Sequence, residues 1–100
     1  MQELTHYIDG THIKGTSGRF ANVMNPATGE IQGKVPLASK DELYNAVSVA
    51  AKAQPAWGAV NPQRRARVML KFVDLLNRDM QKLAETLSRE HGKTIPDAAG

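Results

Sequence analysis

The rhythm of hydrophobic and polar positions along this chain changes once, near Pro36. Before it, short apolar runs are interrupted by Gly, Pro, Asn and Asp, the punctuation of strands joined by tight turns. Tyr7-Ile8-Asp9-Gly10-Thr11-His12-Ile13 sets Asp-Gly between two such runs. That pair suits a two-residue hairpin turn, whose central residues both need positive φ. Phe20-Ala21-Asn22-Val23-Met24 and Ile31-Gln32-Gly33-Lys34-Val35 flank Asn25-Pro26-Ala27-Thr28-Gly29-Glu30 and read as a second hairpin. Pro36 ends it, because proline cannot donate to a ladder. Two hairpins are therefore expected over about 6–37.

After Pro36 the period becomes helical. Ser39-Lys40-Asp41-Glu42 is a capping box, and its two acids suit the positive end of the helix dipole. Leu43, Ala46, Val47 and Ala50 continue it at helical spacing, with Pro55 expected to stop the helix, which is placed over about 40–53. Asn61-Pro62 opens the next, an N-cap followed by a proline whose missing N–H costs nothing at the first helical position. Apolar residues keep phase from Ala66 through Met69, Leu70, Val73, Leu76, Met80, Leu83 and Ala84 to Leu87, giving helix over about 62–91. Its length favours a break near Asn77-Arg78-Asp79, and Gly92 supplies a left-handed stop. Val68, Phe72 and Leu75 make the first half apolar on most of its circumference, more than two hairpins and one Ala-rich helix can cover. Ile95-Pro96-Asp97 reads as the start of a further helix at 96, so the chain is expected to stop inside an element.

Composition narrows the classes. Of 100 residues, 41% are apolar, but thirteen of these are Ala, so the core such a chain builds alone is thin. No apolar run reaches the ~18 residues of a membrane span, and the N-terminus carries neither a signal nor a transit pattern, so the expected location is cytoplasmic. The absence of Cys removes disulfides, thiolate metal sites and a thiol nucleophile from these residues. A net charge of +3 is a weak field unless it clusters, and it clusters once, at Arg64, Arg65 and Arg67. Ala66, Val68, Met69 and Leu70 interleave there in place of base-reading Asn or Gln, so a protein carboxylate or subunit surface is the expected partner, with no nucleic acid and no membrane.

Candidate chemistry is sparse. Gly92-Lys93-Thr94 has the tail of a phosphate-binding loop, but position 87 is Leu where that motif needs Gly, so helix termination is the reading. His6, His12 and His91 lack a second ligand at helical metal spacing. Trp57, just after Pro55, is expected to pack in the loop between two helices. No residue is expected to be catalytic, to bind a cofactor or to hold a metal.

Ser17-Gly18-Arg19-Phe20, Asn25-Pro26-Ala27-Thr28-Gly29-Glu30, Arg64-Arg65-Ala66-Arg67 and Ser88-Arg89-Glu90-His91-Gly92-Lys93-Thr94 stand in the order seen at the N-terminus of aldehyde dehydrogenases. Over residues 6 to 100 the chain resembles the CoA-acylating methylmalonate-semialdehyde dehydrogenases of that superfamily. The resemblance implies an α/β fold of aldehyde dehydrogenase type. Residues 1–100 would be its incomplete N-terminal part: two hairpins, then two or three helices. It also implies a homotetramer that uses NAD as cofactor and CoA as co-substrate. In that family a Cys thiolate attacks the semialdehyde, hydride passes to NAD, and the thioester goes to CoA with loss of carbon dioxide, giving propionyl-CoA or acetyl-CoA. This chain has no Cys, so by itself it is expected to be inactive. The alternative is a stand-alone small helical interaction module that uses the Arg cluster as its contact surface.

Overall fold

The computed structural model describes residues 1–100, which divide into two compact units. The first holds residues 1–24 and 31–58, and the second holds residues 25–30 and 59–100.

In the first unit, β2 (His6–Ile8) and β3 (Thr11–Ile13) form an antiparallel hairpin with Tyr7 opposite His12. Asp9 (φ 55°) and Gly10 (φ 71°) supply the two left-handed residues its turn requires. A three-stranded sheet runs β1-β5-β4, with β1 at Gln2–Glu3, β4 at Phe20–Met24 and β5 at Ile31–Pro36. The β4/β5 pair is antiparallel, with an irregularity between Val23 and Met24. The sequence pattern gave no sign of β1, which runs parallel to β5 with Gln2 beside Gly33, a strand too short to show a period. Leu4 extends the ladder by donating to Lys34 O at 2.9 Å.

Helix α1 spans Lys40–Ala59. Its start is the reciprocal capping box: the Ser39 amide donates to Glu42 Oε1 at 2.9 Å, and the Glu42 amide donates to Ser39 Oγ at 3.1 Å. Its end corrects the expected stop. Pro55 lies inside the helix, and Ala56, Trp57, Gly58 and Ala59 add another turn. Proline forfeits its own N–H bond and its ring crowds the carbonyl four residues back, but it already holds the helical φ, so the turn C-terminal to it can wind as though starting at a first-turn proline. Trp57 accordingly sits on the helix, 43% exposed, and not in an inter-helix loop.

In the second unit the expected stretch 62–91 is two helices, α2 (Pro62–Arg78) and α3 (Met80–His91). Asn61 Oδ1 caps α2 by accepting from the Gln63 amide at 2.8 Å. Asp79 separates the helices with φ −102° and ψ 16°. Its carboxylate accepts the Arg78 guanidinium through two bonds, at 3.1 and 2.9 Å. That bond, followed by the charges of Arg78 and Lys82, outweighs the effect of desolvation and holds Asp79 below its ordinary pKa. Gly92 (φ 89°) closes α3, its amide donating to Ser88 O at 2.8 Å. Helix α4 is Ile95–Ala99, opening one residue earlier than expected, behind a Thr94 cap that accepts from the Asp97 amide at 3.3 Å. The chain thus carries four helices, α1 to α4, with the break at Asp79 and the further helix at the end of the sequence both among them. Helix α3 packs against α4 and carries Ala84, the one buried apolar side chain of the second unit.

Candidate functional site

In the first unit, titratable chemistry gathers at the start of α1. Glu42 is tied by both oxygens, Oε1 to the Ser39 amide and Oε2 to the Thr16 amide at 3.3 Å. The Ser39 backbone bond is the main cause of its lowered pKa; desolvation opposes it, and the Thr16 amide, the Ser39 side chain and His6 assist. His6 Nε2 is buried and lies 3.4 Å from Glu42 Oε2 without the alignment of a hydrogen bond. Gly15 makes this fit possible, because a β-carbon there would stand 2.7 Å from Pro36 Cβ and 3.2 Å from His6 Nε2. A carboxylate kept ionised and engaged by two amides is a helix cap, poorly suited to accepting a proton near neutral pH. Beside it lies a hollow of about 240 Å³ between Tyr7 and Ile8 on one side and Leu43 and Ala46 on the other.

The sequence offers no period linking His6, Thr16 and Glu42, so this juxtaposition is a product of folding. The other histidines stand elsewhere. His12 Nδ1 bonds Thr5 Oγ1 at 3.0 Å with its ring edge-on to Tyr7, and His91 occupies the last turn of α3. No three His, Cys, Asp or Glu residues are grouped to hold a metal.

Gly92, Lys93 and Thr94 are absorbed by the junction of α3 and α4. The Gly92 amide is spent on Ser88 O, Ser88 Oγ donates to Lys93 O at 2.6 Å, and Thr94 caps α4. A dinucleotide site needs free amides converging on a pyrophosphate. These groups do not fit one.

The largest exposed apolar surface of the second unit is α2. Val68, Met69, Leu70, Phe72 and Val73 are each between 48% and 63% exposed. Arg67, Val68, Lys71, Phe72 and Leu75 line an open hollow of about 490 Å³. No carboxylate of the second unit forms an ion pair with Arg64, Arg65 or Arg67. Arg65 Nε donates instead to Val60 O at 3.2 Å, and Arg64 and Arg67 make no ion pair. What the arrangement can do is present an apolar helix face carrying cations to another surface.

The residues from 12 to 100 match the model of the aldehyde dehydrogenase family. The chain belongs to that family. It is 43% identical over 100 residues to a malonate-semialdehyde dehydrogenase of Pseudomonas aeruginosa, covering all of this chain and 20% of that protein. It is 43% identical over 93 residues to an acylating, mitochondrial methylmalonate-semialdehyde dehydrogenase of Arabidopsis thaliana, covering 93% of this chain and 15% of that one. Among solved structures it superposes with TM-score 0.97 and 64% identity on a Sinorhizobium meliloti protein assigned as a methylmalonate-semialdehyde dehydrogenase and complexed with NAD. That match covers all of this chain and 20% of the other. The chain thus spans about a fifth of the length of the relatives it matches. Its fold is of the aldehyde dehydrogenase type, and no helix is long and apolar enough to cross a membrane.

Proposed function

We propose that these residues are the N-terminal scaffold of an NAD-dependent, CoA-acylating dehydrogenase acting on malonate or methylmalonate semialdehyde. The observation that carries this reading is the 64% identity, at TM-score 0.97 over the whole chain, with a protein complexed with NAD. The native-length enzyme oxidises the semialdehyde with decarboxylation, passes hydride to NAD and delivers acetyl-CoA or propionyl-CoA. The thiolate nucleophile, the NAD-contacting groups and the substrate-carboxylate contacts belong to residues outside these 100, since this chain has no Cys and its one phosphate-loop-like run is engaged in caps. The working form is a cytoplasmic homotetramer. The role of the present residues is to pack: hairpins and helices with half-exposed apolar faces support a cofactor-binding body.

The test is to follow NADH with the protein at its native length, supplying malonate semialdehyde with and without CoA. CoA-dependent NADH and acyl-CoA formation is the expected result. The 100-residue chain alone is expected to produce none, and NADH from it would overturn the assignment of the chemistry to residues elsewhere.

A further inference from the structure

Asp9-Gly10 is the one place in the chain where Gly follows an Asp or an Asn. The pair forms the two-residue turn between β2 and β3, and both residues are exposed. Asp9, at φ 55°, is the one residue other than glycine with a positive φ, a conformation that strains an L side chain. Its carboxylate has no hydrogen-bond or ion-pair partner, and the Gly10 amide donates to no backbone or side-chain acceptor. A β-carbon placed on Gly10 would meet no atom within 4 Å, so nothing screens that nitrogen. The one side-chain bond at the tip is from Thr11 Oγ1 to Asp9 O, at 3.5 Å. An unengaged carboxyl group and an unengaged amide thus adjoin at an exposed loop tip, where local opening is easiest.

We propose that Asp9 is a site of spontaneous covalent modification, isomerising to isoaspartate through a cyclic imide with Gly10. Gly10 N attacks Asp9 Cγ. The N–Cγ bond forms, the bond from Cγ to its hydroxyl oxygen breaks, and water leaves with the amide proton. Water then opens the ring. Attack at Cγ restores Asp9, whereas attack at the Asp9 main-chain carbonyl carbon leaves the chain running through Cγ. The product has the atoms of the parent, and nothing is oxidised or reduced.

The other candidates lack these conditions. Asn25 and Asn61 precede proline, which has no N–H to lose. Asp41, Asp74 and Asp97 lie in helices, and Asp79 is held by two bonds from Arg78. The same demand for positive φ that selects Asp and Gly for this turn therefore builds in its lability. Isoaspartate adds a methylene to the main chain inside a turn that accommodates two residues only. Pairing of Ile8 with Thr11 closes that turn, and pairing of His6 with Ile13 ends the same short ladder. The modification thereby loosens the hairpin that seats His6 against Glu42.

The experiment ages the folded native-length protein in neutral buffer made with heavy-oxygen water and maps its tryptic peptides by mass spectrometry. The peptide ending at Lys14 holds Asp9 as its one Asp and no Asn, so the site is read directly. Electron-transfer fragmentation separates isoaspartate from aspartate there. The expected result is isoaspartate at position 9 carrying heavy oxygen, accumulating several-fold faster than at any other Asp or Asn of residues 1–100. Asp9→Asn, which suits the same turn and loses ammonia in place of water, is expected to convert several-fold faster still. Isoaspartate absent from position 9, present without heavy oxygen, or matched at other positions overturns the inference, as does an Asn variant no faster than the parent. Hydrogen exchange of the same peptide reads the consequence. A second, faster-exchanging population equal to the isomerised fraction is expected, and a single population at the parent rate overturns the loss of the hairpin. These readouts are covalent and structural, so they do not depend on the activity of the enzyme.

Discussion

Pro26 lies over Gly92 so closely that a β-carbon on Gly92 would stand 3.0 Å from Pro26 Cγ. The contact joins the turn of the Asn25–Glu30 loop to the C-cap of α3, two runs that lie far apart in sequence yet belong to one compact unit. The loop is held for this contact by its own bonds. Asn25 Oδ1 accepts from Ala27 at 2.9 Å, and the Gly29 amide donates to Asn25 O at 2.7 Å. Gly92 therefore satisfies two demands at once, a left-handed φ of 89° and the absence of a side chain beneath Pro26.

Gly92→Ala is expected to destabilise the native-length protein by about 2 kcal/mol, part from the left-handed backbone and part from crowding against Pro26. Adding Pro26→Ala relieves only the second part, so the double variant should recover some stability and never all of it. Urea unfolding of the three variants checks this. Full recovery would show that the backbone conformation carries no cost.

The capping box predicts an acid-limb effect. The folded pKa of Glu42 is depressed below its ordinary 4.5, chiefly by the Ser39 amide. A depressed carboxylate contributes stability that is present above about 4.5 and is lost as pH falls through the folded value. Glu42→Gln keeps the geometry of a capping box and removes the titration, so its stability should vary less with pH below 4.5 than that of the parent. Ser39→Ala should lower stability by about 1 kcal/mol through the lost N-cap. Denaturant midpoints taken across pH 3 to 7 test both, and parallel acid limbs for Glu42→Gln and the parent would refute the first.

Pro55 predicts a gain. Within α1 it cannot donate a backbone hydrogen bond and leaves a carbonyl one turn back without its helical partner. Pro55→Ala restores that bond, offset by the added freedom of the unfolded chain, which is worth under ~1 kcal/mol. A net stabilisation of about 1–2 kcal/mol is expected, read as a raised urea midpoint with unchanged slope. A loss of stability would mean that the Pro55 ring itself is needed for packing.

Local chemistry explains which parts of this fold were legible. Asp9-Gly10, Ser39 with Glu42, Asn61-Pro62 and Gly92 each announce their element because the requirement they meet is met within a few residues. Pro55 misled because a proline's local cost can be outweighed, and Trp57 followed it into the wrong element. β1 was invisible because two residues carry no period, and its place beside Gly33 depends on a close approach in which a β-carbon would stand 2.9 Å from Gln2 O. The His6–Glu42 approach and the Pro26–Gly92 contact lie between distant positions, for which one sequence holds no signal. The apolar circumference of α2 was legible, and the structure leaves it half exposed.

That exposure sets the last expectation. Only Pro36 and Ala84 among the apolar side chains are buried, while Leu43, Tyr44 and Val47 on α1 and Val68, Met69, Leu70, Phe72 and Val73 on α2 are about half exposed. Hydrophobic stabilisation scales with area removed from water at roughly 25 cal/mol per Å², and ordering each residue costs about 1–2 kcal/mol in backbone entropy. With so little area removed, the 100-residue chain produced alone should not reach a cooperative native state. It should bind a hydrophobic dye, retain far-ultraviolet helical signal, lack a sharp thermal transition and associate at micromolar concentration. The same residues within the native-length protein should bind no dye. A monomeric, cooperatively melting 100-residue chain would favour the stand-alone interaction module over the scaffold reading, because its apolar helices would then be stable in water without the cover that an aldehyde dehydrogenase body provides.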